Sequence, residues 1–383
     1  MTTRPSSRLL RPATTVLLGA LLLAACGGTS SGAPAGTRGP TSTPSTPAPR
    51  QKPPLLGLLD MGVQTSYQRG QPFPPADPSG LDAYAGAFGG IVVNEAWSQL
   101  EPTAGSEQWG PLDQSLAAVS SWNSSHPTTP LGVKLRIFAG RSAPGWVTAE
   151  SGTVTIVVHG RPVTVGRWWT PPFEAAWHAF QQALAARYDP DPLVRQVSVS
   201  SCSSSTGEPF VVSGARTSQA NLAAAGWSIG AQEQCLDGAL SDYSGWKRTP
   251  ITFAFNPLPT PTGPDTTLMD QVMQECAASA AHDGPQCIVG NNDLSPTVAT
   301  SAYSGPTIAQ IQRLEAGVDP PTVYFQTSGS RLTCQTISTG LGYHARSIEI
   351  WPPDGNYRGF AVQRAATLTQ WNRALISGTS LSC

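Results

Sequence analysis

Eight short runs rich in Val, Ile and Phe recur along this chain, separated by periodic or long polar stretches. That rhythm restricts the possible folds more than any other feature. The runs are Leu56 to Gly62, Gly90 to Asn94, Gly132 to Phe138, Val194 to Ser200, Ile251 to Asn256, Gln286 to Val289, Thr322 to Gln326 and Ser347 to Trp351. Strand-like runs alternating with helix-like segments specify βα units around a parallel sheet. The expected class is therefore α/β, a (β/α)8 TIM-type barrel formed as one domain over residues 55–383.

The crossovers are legible in places. Phe173, Trp177, Phe180, Leu184 and Tyr188 fall on one helical stripe, with Thr170 placed as N-cap and Pro171 in the first turn. Leu112, Leu116 and Val119 mark a shorter helix after the second strand, and Leu368, Trp371 and Leu375 mark the last one. Thr153 to Val158 and Pro162 to Val165 alternate around His159-Gly160-Arg161, which predicts a β-hairpin inserted after the third strand. In a barrel that loop opens on the face where chemistry is placed, so the hairpin is expected to wall a cleft.

The N-terminus has a different character. Arg4, Arg8 and Arg11 precede an apolar run from Val16 to Ala25 that is too short to span a bilayer. Leu23-Ala24-Ala25-Cys26-Gly27 resembles a bacterial lipoprotein signal. That resemblance implies a signal over residues 1–26, lipidation of Cys26, export, and anchoring to the outer face of the bacterial cell membrane. Residues 27–54 are almost wholly Gly, Ser, Thr, Ala and Pro, a composition that cannot offset ordering entropy and acts as a disordered linker.

Apart from Cys26, Cys202, Cys235, Cys276, Cys287, Cys334 and Cys383 form an even set, as an exported chain with intrachain disulfides requires. Spacing leaves the connectivity open; nearest neighbours are expected to pair, Cys276 with Cys287 above all because only a short loop must close. Metal is not expected, since there is no CxxC and no His pair at ligand spacing. A formal net charge of −1 with 12% charged residues excludes the electrostatic footprint of a nucleic-acid partner. Neither a GxSxG elbow, a P-loop nor a dinucleotide fingerprint is present, and His344 is isolated, so no cofactor and no serine triad are expected.

Two carboxylates stand out. Val197 to Phe210 reads VSVSSCSSSTGEPF, a strand that dissolves into small polar residues and presents Glu208 between Gly207 and Pro209. In Ser347-Ile348-Glu349-Ile350-Trp351 the isoleucines share one face, so Glu349 faces the barrel interior, as does Arg136 between Leu135 and Ile137. Glu349 can form a structural ion pair with Arg136 or serve catalysis. Asp60, Asn94, Glu95, Asn256, Asn291 and Asn292 fall near the expected mouth, where hydroxyl groups of a ligand need donors and acceptors. Trp351 and Trp169 are candidates to stack on the flat face of a ligand or to pack in the core.

Trp97-Ser98-Gln99-Leu100-Glu101-Pro102, Gly105, Trp109, Leu112-Asp113 and Ala143-Pro144-Gly145-Trp146 resemble the first third of clan A glycoside hydrolases, and Trp168-Trp169 and Ala186-Arg187-Tyr188-Asp189 continue the likeness. The resemblance implies a carbohydrate substrate, a retaining two-carboxylate mechanism and an acid/base Glu just beyond strand four, which Glu208 matches. Gly207 stands where the family has Asn, and Gln326 ends the seventh strand where the family has the nucleophile. Glu349, one strand on, is then the candidate nucleophile, with Arg136, Asn94, Glu95, Asp60, Asn256, Asn291, Gln326 and Trp351 as candidate substrate contacts. The competing expectation is a non-catalytic carbohydrate- or solute-binding lipoprotein on the same scaffold.

Overall fold

The computed structural model describes residues 50–62, 72–158, 160–211, 216–260, 263–279, 285–317, 322–328, 332–350 and 363–383. Cys26 and Trp351 lie outside them.

Eight parallel strands close into a barrel. In spatial order they are β1 (Gly57–Asp60), β12 (Ala345–Ile350), β11 (Val323–Thr327), β10 (Cys287–Leu294), β7 (Ile251–Ala254), β6 (Val194–Ser198), β3 (Gly132–Phe138) and β2 (Gly90–Ala96). The seam between first and last strand is made by β1 and β12, paired from Gly57↔Ser347 to Asp60↔Ile350. Among the described residues two hairpins stand outside the barrel: β4 (Thr153–Val158) with β5 (Arg161–Gly166), the insertion expected after the third strand, and β8 (Leu258–Thr260) with β9 (Gly263–Asp265).

Strand alternation divides the side chains into two environments. Ile91 and Val93, Val133, Leu135 and Ile137, Ile251 and Phe253, Val323 and Phe325, and Ile348 and Ile350 all join the main core shared with the helices. The opposite parity fills the barrel with a mixed set: Leu59 and Val92 in one small apolar cluster, Ala254, Ile288 and Tyr324 in another, and the buried polar residues Lys134, Arg136, Gln196, Thr252 and Glu349. A polar interior of this kind is costly to bury unless its members pair with each other, so it marks where function can reside.

Between barrel and helices, the stripe on helix Pro171–Tyr188 is buried throughout, from Phe173 to Tyr188. Thr170 does hold the N-cap position, but its hydroxyl donates to Arg167 O (2.8 Å) instead of accepting from the helix. Trp97 meets Phe173, Trp177 and Phe180 with ring centroids 5.0–5.7 Å apart. Its indole N–H donates to Glu101 Oε2 (2.9 Å), Glu101 Oε1 accepts from Gly105 N (2.9 Å), and Trp146 donates to Glu101 O (3.3 Å). The short motif that carried the family likeness is thus a brace between barrel and helix layer, with its one acid used internally.

At the N-terminal ends of the strands, residues 50–54 lie across the barrel floor. Lys52 Nζ donates to Asp191 O (2.6 Å), Val194 O (2.7 Å) and Thr249 Oγ1 (2.8 Å), while Arg195 Nε donates to Pro53 O (2.7 Å). Three disulfides close the nearest-neighbour pairs expected: Cys202–Cys235, Cys276–Cys287 and Cys334–Cys383. Such bonds suit an oxidising, extracytoplasmic setting.

Candidate active site

Glu208 lies well past the end of β6, on an irregular loop whose serines knit it in place. Ser200 Oγ donates to Gly207 O (2.8 Å), Ser204 N and Oγ both donate to Phe210 O (3.1 and 3.0 Å), and Thr206 Oγ1 donates to Glu208 O (2.9 Å). The start of the loop is fixed from outside by Tyr243, whose hydroxyl accepts from Ser200 N (2.8 Å), and by Trp177, whose indole donates to Ser201 Oγ (2.8 Å). The Cys202–Cys235 disulfide adds a covalent tie to helix Ile229–Asp242. Gly140 completes the support by omission, because an ideal Cβ there would overlap the carbonyl oxygens of Ser203 and Ser204.

The loop delivers Glu208 to the barrel interior. Arg136 Nη2 lies 2.8 Å from Glu208 Oε1 and also contacts Glu349 Oε2. Lys134 Nζ contacts Glu349 Oε1, and Asn292 Nδ2 donates to Glu208 Oε2 (3.0 Å). Two carboxylates that share one nitrogen have their nearest oxygens no more than roughly 6 Å apart. All four charged side chains are at most 5% exposed. Burial works to raise the pKa of Glu349, but Arg136 and Lys134 outweigh it and hold the carboxyl below its ordinary value. Burial pulls Lys134 down to about 8 against the attraction of Glu349, which leaves the ammonium charged at neutral pH. For Arg136 burial acts downward, yet Glu208 and Glu349 raise it overall.

Gly207, the departure from the family pattern, has a steric cause here. A Cβ at this position would stand 2.7 Å from both Arg136 Cγ and Cδ and 3.0 Å from Phe138 Cε2. The arginine stem occupies the space that a side chain at 207 would take.

The remaining candidates are distributed unevenly. Asn94 is the register partner of Arg136 and Gln326 that of Glu349, so both border the charged group. Asn291 is spent on the backbone, donating to Phe255 O (2.8 Å) and accepting from Asp293 N (2.9 Å). Asn256 is 2% exposed with no partner for Nδ2 among the described residues. Asp60 accepts from Gly62 N (2.7 Å), and burial, opposed by that bond, lifts its carboxyl to about 7. Glu95 has the parity of Ile91 and Val93, opposite to Asn94, and burial pushes it up to about 9, with no charged neighbour among the described residues acting on it. It is therefore separate from the Glu208–Glu349 group. Among the described residues no three of His, Cys, Asp and Glu gather to hold a metal ion.

Glu95 supports a direct stability test. Its folded value lies above its ordinary 4.5, so the folded state binds the extra proton, and stability is full below about pH 4.5 and is lost as pH rises toward about 9. Glu95→Gln is expected to raise stability at pH 7–8 on the order of 2 kcal/mol and to flatten the pH dependence in that window. Urea melts at pH 5 and pH 8 check this; equal slopes for both proteins would refute it.

Lys134 carries no distinguishing signal in the sequence beyond the inward parity it shares with Arg136 two residues on. Tyr324 and Gly290 are likewise visible as important only once the strands are placed.

No family model matches the sequence, and no curated protein matches it. Solved structures do match in shape. A glycoside hydrolase aligns at a TM-score of 0.50 with 10% identity, over 85% of this chain and 99% of that one. Endo-glycoceramidase II from Rhodococcus sp., as its lactosyl-enzyme intermediate, aligns at 0.50 with 12% identity, over 85% and 81%. The fold is the closed eight-stranded parallel barrel that these structures share. At these identities the likeness establishes architecture, and the chemistry has to be read from the site itself.

Proposed function

We propose that this barrel is a retaining glycoside hydrolase in which Glu208 is the general acid/base and Glu349 the nucleophile. One observation carries the reading: both carboxylates reach the same Arg136 nitrogen from opposite sides of the barrel interior. Glycosidic cleavage needs one carboxyl to protonate the leaving oxygen and one, ionised, to attack or stabilise the anomeric carbon; a separation of about 5–5.5 Å goes with a covalent glycosyl-enzyme and retention. Glu349, held ionised by Lys134 and Arg136, has the property the nucleophile needs. The three disulfides and the lipoprotein-like signal ending at Cys26 support action on extracytoplasmic carbohydrate from a lipid anchor.

A second reading has its own observation. Lys134, Arg136, Glu208 and Glu349 form a charge-balanced, buried set, and Gln326 is the register partner of Glu349 at the strand where the family has an acid. A scaffold that binds carbohydrate without cleaving it would keep such a set for structure.

A panel of aryl glycosides and polysaccharides separates the two. Hydrolysis by the wild type, lowered at least about a hundredfold in Glu208→Gln, supports the enzyme. Binding without turnover supports the second reading. Product analysis by NMR should show the anomeric configuration of the substrate retained.

A further inference from the structure

Glu349 is gripped on both oxygens, but the two cations differ in what holds them. Arg136 also binds Glu208, whereas Lys134 Nζ sits 3.9 Å from the centroid of the Tyr324 ring, on its face. That ring in turn fills the place of a missing side chain, because an ideal Cβ on Gly290 would overlap its ring carbons and lie 2.6 Å from Tyr324 O. Gly290 and Tyr324 are register partners on β10 and β11, and Gln326 of β11 pairs with Glu349 of β12. Glycine, aromatic ring, ammonium and carboxylate therefore stand in contact order across the barrel interior. Lys134 is fully buried, so it cannot be a surface charge that pairs by chance.

We propose that Lys134, seated on Tyr324 in the space left by Gly290, is the positioning residue that fixes and ionises Glu349 for attack. This rests on reading Glu349 as the nucleophile. An ammonium over an aromatic face is held by the ring quadrupole, most strongly where water is excluded, and an opposite charge within hydrogen-bond reach favours the ionised carboxylate. The stack supplies a cation that touches the nucleophile without competing for Glu208. The charged and titratable groups facing Glu349 include Lys134 and Arg136 from β3, Tyr324 from β11 and, through Arg136, Glu208; Leu59 of β1 is its apolar register neighbour.

Two readouts test this in the full-length protein. Glutamate 13C-labelled at the carboxyl gives an NMR titration of Glu349, assigned by the signal that disappears in Glu349→Gln. The acid limb of the kcat/KM profile reports the same group during turnover. In Lys134→Met the midpoint and the limb are expected to move up by about 1–3 pH units, and Lys134→Arg should restore most of the shift. Tyr324→Leu, which leaves the charge count unchanged and serves if Lys134→Met fails to fold, should move both in the same direction by less. An unmoved midpoint in the folded variants overturns the proposal. Absence of glycoside hydrolysis by the wild type removes the proposed function instead, and the NMR midpoint still decides whether Lys134 ionises Glu349.

Discussion

Replacing the three disulfides by Ala pairs is expected to leave a protein with little or no cooperative melting transition. In the loop-entropy description, Cys202–Cys235 and Cys334–Cys383, with separations of 33 and 49, contribute roughly 3–4 kcal/mol each, and Cys276–Cys287, with a separation of 11, somewhat less. Their sum approaches the whole net stability of an ordinary domain, about 5–15 kcal/mol. The bonds should also open in order. Cys383 is exposed, whereas Cys202, Cys276 and Cys287 are nearly or fully buried, so a mild reductant reaches Cys334–Cys383 first. Loss of Cys202–Cys235 alone is expected to cost activity as well as stability, since that bond anchors the loop carrying Glu208. Calorimetry of single-pair and triple-pair variants, with thiol counting during reduction, checks both statements. A triple variant that melts like the wild type would refute the first, and simultaneous release of all thiols the second.

Glu349→Leu is expected to destabilise the protein by about 3–5 kcal/mol, because it leaves Lys134 buried without its anion and Arg136 with half of its pairing. Adding Lys134→Met should recover much of that loss. The double variant deletes one cation with one anion, restores charge balance around Arg136 and Glu208, and replaces an ion pair by apolar groups of similar bulk, which is often neutral or stabilising. The diagnostic quantity is the coupling energy of the cycle, measured by urea denaturation of the two single variants and the double. If the double costs the sum of the singles, the four charges do not form one network. Activity is expected to be lost whenever Glu349 is replaced, so stability and turnover separate in the double variant: it regains the first and not the second.

Much of the architecture is open to reading because the outward parity of the barrel strands is mainly apolar, as in Val133, Leu135 and Ile137 or Ile348 and Ile350, with Glu95 on β2 as an exception. The same alternation correctly aimed Arg136 and Glu349 inward and reached the pair that the structure brings together. Lys134 escaped because a lysine in a strand is ordinarily a surface residue, and only the closed barrel shows that its side has no solvent. Strand β10 runs beyond its apolar stretch to Leu294, although Gly290-Asn291-Asn292 has turn chemistry; Gly290 leaves room for the Tyr324 ring, and Asn291 bonds across to Phe255 O. Helices Arg216–Ala224 and Ile229–Asp242 gave little periodic signal, as they bury Ser218, Gln232 and Ala239 beside only a few large apolar groups. Glu95 falls one residue before the end of β2 at Ala96, and strand alternation turns its carboxyl to the face opposite Asn94.

The strap across the barrel floor has a practical consequence for handling the molecule. Residues 50–54 are tied through Lys52 and Arg195 to the N-terminal ends of the strands, and Glu208 and Glu349 belong to their C-terminal ends. A bead, a fluorophore or a fusion partner joined directly at residue 50 would be held on the side remote from the site, leaving the mouth open to a bulky polymer. The same junction gives a fixed attachment point of known orientation for force spectroscopy or surface display, because pulling there loads the Lys52 contacts before it disturbs the loop that carries Glu208.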